Sequence, residues 1–350
     1  MLKSNSTTVF SCGSSQFSQT LQPEISSIPA NAIPNYHQVN SYSGGYHSVF
    51  IINKANVSSV GFCGCASEGQ IPDASNDIIY DLYIPAEFSV DKHVKMCAAG
   101  DYFTIILYED GRINGYGEIK IPDEFNNFKK VFAKFGLAFG VKDNDEVFAL
   151  DCNNGNIFHL DFDECKHVLE VSSIGESGAA VLTDNGMLYL FKKLDDKCTA
   201  KINNVVSIAS SRKLLIILKS DGRVYELHDD KLIQITGFEG LPIKVFAGGA
   251  HYGLITYDGN SWTWGCGTSG QLGNGYFFNL AKPQKVIINN DYKVINASAG
   301  EEHTLFDVCP SSDFSIILPD LMRKEELVNS YIMNEKLGIS VKIPEFDLKF

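Results

Sequence analysis

AGGAHYGLITYDGNSWTWGCGTSGQLGNG, residues 247–275, is the stretch from which the rest of the chain can be read. Its last fourteen residues, from Trp262, hold two tryptophans and five glycines. That is too much glycine for a helix and too much aromatic surface for a flexible linker. In the first half, the apolar run YGLITY leads into Asp258-Gly259, and a second run, SWTWG, follows directly. Two such runs around an Asp-Gly pair are a β-hairpin with its turn residues in place. TSGQLGNG then carries the chain outward before Pro283 opens the next approach. Its glycines permit positive φ and close backbone contact, Leu272 can plug a hydrophobic layer, and the tryptophans supply large buried area.

The pattern of a small residue, a loop, an apolar run and a turn recurs. AGDYFTIILYEDG begins at Ala99, AGEEHTLFDV at Ala299 and SGGYHSVFIINKA at Ser43. Weaker copies begin at Ala133, Ile174 and Ser210. With Ala247 this gives seven anchors, spaced by 56, 34, 41, 36, 37 and 52 residues. Those steps suit propeller blades and are too irregular for a rigid solenoid. An apolar segment such as KKVFA, NVVSIA or IKVFA precedes most anchors, so each unit reads as a three- to four-stranded antiparallel blade.

The stretch at 247–275, with Pro283 behind it, resembles a repeat of the regulator of chromosome condensation family, whose members are seven-bladed β-propellers. VFSCGSSQFSQ near the N-terminus and VGFCGCASEGQI at residues 60–71 are degraded forms of WTWGCGTSGQLG. The N-terminal fragment lacks an anchor before it, and the anchor at Ala299 lacks a following WGxG-type strand. The family closes its ring with strands from both chain ends, and the two fragments are complementary. The resemblance therefore implies an all-β, seven-bladed propeller over residues 1–309, closed by Val9 to Gly13 pairing beside Val294 to Val308. Residues 310–350 form a tail. There Leu321, Leu327, Tyr331 and Ile332 suggest one amphipathic helix ended by Gly338, and ISVKI, residues 339–343, reads as a short strand.

Composition limits the function. The chain has 350 residues, 44% hydrophobic and 20% charged, with a net charge of −13 and a pI near 5.0. Such an acidic chain has no general attraction to phosphate backbones or anionic lipid, so neither nucleic acid nor membrane is the expected partner. No segment approaches the roughly 18 apolar residues of a membrane helix, and no signal-like segment opens the chain. The expectation is a cytoplasmic or nuclear monomer whose nine cysteines are free thiols.

No GxSxG, P-loop or HExxH motif is present, and the glycines belong to blade turns. Cys152, His159, Cys165 and His167 do not match zinc spacing. No cofactor or metal is expected. The anchor loops are the candidate site, since a propeller gathers them at one rim of its channel. In the family's exchange factor for the GTPase Ran, acidic and histidine residues of these loops contribute to the exchange surface. The matching positions here are His47, Asp101, His251, Glu301, Glu302 and His303. The alternative for each histidine is a structural hydrogen bond to a neighbouring blade. Phe103, Leu137, Lys134, Phe135, Arg212 and Lys213 depart from the loop pattern, leaving the middle blades bare. The 41-residue step from Ala133 has no room for the exchange factor's wedge hairpin. The resulting expectation is a non-enzymatic platform for a protein partner, with nucleotide exchange on a small GTPase as the alternative.

Overall fold

The computed structural model describes residues 7–33, 36, 38–54, 57–88, 93–162, 167–228 and 231–315. Strands β1 (Thr8–Gly13) and β2 (Ser26–Asn31) come first. Blade 1 follows with β3 (Val39–Ser43), β4 (His47–Lys54), β5 (Val57–Cys65) and β6 (Ile78–Tyr83). Blade 2 holds β7 (Val94–Ala99), β8 (Phe103–Tyr108) and β9 (Ile113–Gly117). Blade 3 is β10 (Lys130–Lys134), β11 (Leu137–Val141), β12 (Val147–Asp151) and β13 (Ile157–Leu160). Blade 4 is β14 (Val168–Ile174), β15 (Gly178–Thr183), β16 (Leu188–Phe191) and β17 (Ala200–Ile202). Blade 5 is β18 (Val205–Ser210), β19 (Leu215–Lys219), β20 (Val224–His228) and β21 (Lys231–Ile235). Blade 6 is β22 (Pro242–Ala247), β23 (His251–Thr256), β24 (Ser261–Gly265) and β25 (Leu280–Lys285). Blade 7 joins β26 (Tyr292–Ala299) and β27 (His303–Pro310) to the two N-terminal strands, in the order β26, β27, β1, β2.

Each of the seven anchors closes an innermost strand or stands one residue short of its end. The ring closes as the sequence implies. β1 lies antiparallel on β27 in an unbroken register from Thr8 opposite Val308 to Gly13 opposite His303. This leaves neither chain end as an open inner edge.

The core is seven layers, one between each pair of neighbouring blades. Side chains alternate along a strand. In β4, Phe50 and Ile52 therefore pack toward blade 7 with Val9 and Leu305, while Val49 and Ile51 pack toward blade 2 with Cys97 and Ile106. Because both faces are covered, the second strands read as continuous apolar runs; FTIILY of β8 is buried at every position. Leu272 is fully buried and Trp264 is 2% exposed, with its indole donating to Glu226 Oε1 at 2.9 Å. Trp262 is partly buried against the same layer.

One conformational requirement repeats at the ends of β24, β1, β5 and β9. Gly265, Gly13, Gly64 and Gly117 have φ of +96°, +109°, +107° and +96°, and a Cβ on any of them would collide with a loop carbonyl of the same blade. The glycine of the WTWG pattern thus turns the chain off the third strand where no side chain fits.

Buried carboxylates fasten some blades to the next. Asp307 of β27 accepts the Ser41 N–H at 3.1 Å and the Ser41 hydroxyl at 2.5 Å across the 7–1 boundary. Glu170 accepts the Ile208 N–H at 2.8 Å across the 4–5 boundary. The chain leaves blade 7 with Phe314 packed into the layer between blades 6 and 7, a few residues past the expected end of the propeller. The amphipathic segment after Leu321 and the ISVKI segment lie outside the described residues.

Candidate functional site

The loops between first and second strands meet at one rim. A belt of main-chain hydrogen bonds joins them there. Arg212 N donates to Gly249 O, Gly249 N to Gly300 O, Glu301 N to Gly45 O, Gly45 N to Gly100 O, and Asp101 N to Phe135 O. The belt runs from blade 5 through blades 6, 7, 1 and 2 to blade 3. It fixes the backbones that carry the rim side chains.

The six expected residues fall into two groups. His47, His251 and His303 are each 0% exposed. This corrects their expected place on a binding face: their rings lie beneath the rim. His47 Nε2 stands 2.8 Å from Thr104 Oγ1, His251 Nε2 2.8 Å from Thr304 Oγ1, and His303 Nε2 3.1 Å from Ser48 Oγ. In each case the hydroxyl belongs to the next blade. Thr304 Oγ1 donates to Gln271 O at 2.8 Å and Ser48 Oγ donates to Gln19 O at 2.7 Å. With their hydrogens used there, these hydroxyls accept from the rings, so His251 and His303 carry the proton on Nε2. Burial holds all three histidines near pKa 3, neutral at ordinary pH. Gly44, Gly248 and Gly300 face the rings so closely that a Cβ would overlap the imidazole. The rings are structural pins.

The sequence carried a signal for this. A histidine in one repeat is matched by Ser or Thr one position past the same loop site in the next repeat. Where Phe103 replaces the histidine, blade 3 offers Ala138.

Asp101 and Glu301 do come together, and a residue of the middle blades joins them. Arg212 reaches from blade 5 to Asp101 Oδ2 at 2.8 Å and to both oxygens of Glu301 at 3.1 Å, with Glu176 at 3.5 Å. Its guanidinium lies over the Phe135 ring, 4.8 Å from the centroid. Lys134 reaches from blade 3 to Ala247 O at 2.7 Å and Ala299 O at 3.2 Å. The middle blades are therefore not bare: their cations cross the mouth of the channel and pin the acidic blades. Burial raises the Asp101 carboxyl, opposed by Arg212, and burial lowers Lys134 to about 8.

Around this plug the rim stays polar and accessible. Glu302 is exposed and accepts from Ser269 Oγ at 3.2 Å. Tyr102 is 38% exposed and stacks on Tyr46 at 5.6 Å, and Phe17 meets Tyr46 edge-on at 5.7 Å. A hollow of about 250 Å³ opens beside Tyr102, bounded by Asp101, Glu118, Asn153, Glu176 and Arg212. Carboxylates, an amide and an aromatic face in one hollow can hold basic or hydrogen-bonding side chains of a polypeptide. Among the described residues no group of three or more His, Cys, Asp and Glu side chains could hold a metal ion.

The comparisons with known proteins agree with this architecture. The family model described as "Regulator of chromosome condensation (RCC1) repeat" matches residues 258–306, from the second hairpin of blade 6 into β27. The X-linked retinitis pigmentosa GTPase regulator homolog of Caenorhabditis elegans is 24% identical over 81% of the chain, which spans 20% of that relative's length. Prp20p of Saccharomyces cerevisiae superposes with a TM-score of 0.73 at 15% identity, covering 96% of each chain. Human WBSCR16 superposes at 0.72 with 12% identity, over 85% of this chain and 99% of that one. Residues 258–306 thus match a regulator of chromosome condensation repeat, and the chain around them is similar to that family's proteins in its repeats, its two-ended closure and its seven blades.

Proposed function

We propose that the anchor-loop rim is a non-enzymatic docking platform for a protein partner that presents basic residues. One observation carries the reading: exposed Tyr102 stands on Tyr46 beside a hollow edged by Glu118 and Glu176, on a belt that Arg212 and Lys134 hold rigid. Aromatic surface next to fixed charge on a rigid backbone suits a binding surface, because little order is lost on association. The relatives point the same way. Prp20p is a protein with described binding properties to Gsp1p and histones, and the nematode relative is named a GTPase regulator homolog.

A photo-crosslinking residue in place of Tyr102 tests this. It should capture a defined partner saturably, and one in place of Asp221, on the turn at the other rim, should not. Equal capture from both rims overturns the reading. Nucleotide exchange is the second reading, suggested by the relatives' names. An exchange factor must bind the nucleotide-free GTPase more tightly than the loaded one. Labelled-GDP release from Ran at catalytic amounts of this protein decides between them, and on the platform reading none is expected.

A further inference from the structure

Among the described residues, blade 2 stops one strand short. In the other six blades the outermost strand is β6, β13, β17, β21, β25 or β2, whereas the described residues of blade 2 end at β9. The hydrogen bonds flanking β9, from Tyr108 N to Arg112 O and from Glu118 N to Tyr102 O, set its even-numbered residues toward β8. In an antiparallel ladder the alternate residues then face outward. The N–H and C=O of Ile113 and of Gly115 consequently point off the edge, with no hydrogen-bond partner among the described residues. The described residues that follow do not fold back to pair with them. It turns at Gly117, where Ile119 N donates to Gly117 O at 2.7 Å, and runs on so that a groove of about 380 Å³ opens between β9 and residues 119–126. Ile113, Tyr116, Ile119, Ile121 and Phe125 line it.

We propose that this groove is the docking site for the chain's own segment Ile339–Ile343, which adds to β9 as the fourth strand of blade 2. Three observations choose this occupant. Its sequence, ISVKI, alternates apolar and polar residues over five positions, the length of β9, and is bounded by Gly338 and Pro344. Its makeup matches the outermost strands this chain already uses, KLIQI in β21 and AKI in β17. Lys342 complements exposed Asp123, which lines the groove. Reach is sufficient. The described chain ends at Ser315 beside the layer between blades 6 and 7, two places round the ring from blade 2. The 24 residues from there to Ile339 extend up to about 80 Å. Strand addition would satisfy the outward amides and cover the partly exposed Ile113, Tyr116, Ile119 and Ile121.

Hydrogen exchange on the full chain tests the proposal. The amides of Ile113 and Gly115 and those of residues 339–343 should be protected together. Successive amides on a strand point to opposite sides, so the double variant Ser340→Pro, Val341→Pro removes a β9-facing donor in either register. It should speed exchange at Ile113 and Gly115 by about tenfold or more while the protected amides of β8 stay slow. Open-chain exchange at Ile113 and Gly115 in the unaltered protein would sink the proposal. So would protection that survives the double variant, or that grows with protein concentration, which would identify a second copy as the occupant.

Discussion

Arg212 Nη2 stands 2.8 Å from Asp101 Oδ2, joining blade 5 to blade 2 across the mouth of the channel. The same guanidinium holds Glu301 of blade 7, so one side chain ties three blades that share no strand ladder. Arg212→Ala leaves two partly buried carboxylates facing each other without their cation. The pair lies between exposed and buried, at 31% and 16% side-chain exposure, so the expected loss is about 1 to 2 kcal/mol in urea unfolding. Arg212→Lys should recover only part of it, because a lysine cannot fork between Asp101 and Glu301.

Acid should unfold the propeller earlier than its carboxylates alone would suggest. His47, His251 and His303 sit near pKa 3 in the fold against about 6.5 unfolded. Their neutral burial costs nothing above pH 6.5. Below it the unfolded chain takes up three protons that the folded chain refuses, each removing about 1.4 kcal/mol per pH unit down to about pH 3. Buried Asp307 works the other way. Its folded pKa is raised to about 6, so it returns one proton's worth of stability as pH falls from 6 toward 4. Over that window these four groups leave a net uptake of about two protons on unfolding, roughly 3 kcal/mol per pH unit. Urea midpoints from pH 7 to pH 4 measure the slope, and the triple change of the histidines to Gln should abolish it, leaving only the smaller opposite contribution of Asp307.

The architecture was legible because turn chemistry and blade anchors are local. Asp258-Gly259 and the glycine of WTWG announce a hairpin wherever they occur, and seven anchors count the blades. The closure was implied by the family resemblance, which the incomplete fragments at the two ends fit. The site was less legible, since its contacts join residues far apart in sequence. Asp101 and Glu301 were found by loop position, but Arg212 looked like a departure from the pattern when it is their counter-ion, 111 and 89 positions away. The histidines misled for a related reason. A polar residue in a rim loop reads as exposed, and only the hydroxyl in the next repeat reveals that the ring turns inward. The missing outer strand of blade 2 left no mark, because EIKIPDEF looks as strand-like as the segments that do pair.

Trp264 tests how much a single position of the WTWG pattern supports its blade. The side chain is 2% exposed, packs on Tyr252 at 5.8 Å between centroids, and donates to Glu226. Trp264→Ala should cost about 3 to 5 kcal/mol, the scale for emptying a large aromatic site. Trp264→Phe keeps most of the packing but leaves Glu226 without its donor, so it should cost less than half as much. Chemical denaturation of the two variants measures both, and acrylamide should quench Trp264 only weakly before unfolding.

Deleting residues 1–20 tests the closure itself. The cut removes all of β1, so β27 loses its register from Thr8 to Gly13 and β2 loses the strand it pairs with. It also removes Gln19 O, the acceptor for Ser48 and hence the support of the His303 pin. Blade 7 would be left as a two-stranded sheet with an apolar edge, and an exposed edge of that kind recruits other chains. The truncated protein should melt well below the full chain and elute as soluble aggregate in size-exclusion chromatography. A duplicated control isolates the cause: adding a peptide of residues 7–31 during refolding should restore part of the monomer peak, because that peptide supplies β1 and β2 together. A truncated chain that stays monomeric with an unchanged melting temperature would mean that the pairing of β1 on β27 does not hold the ring shut.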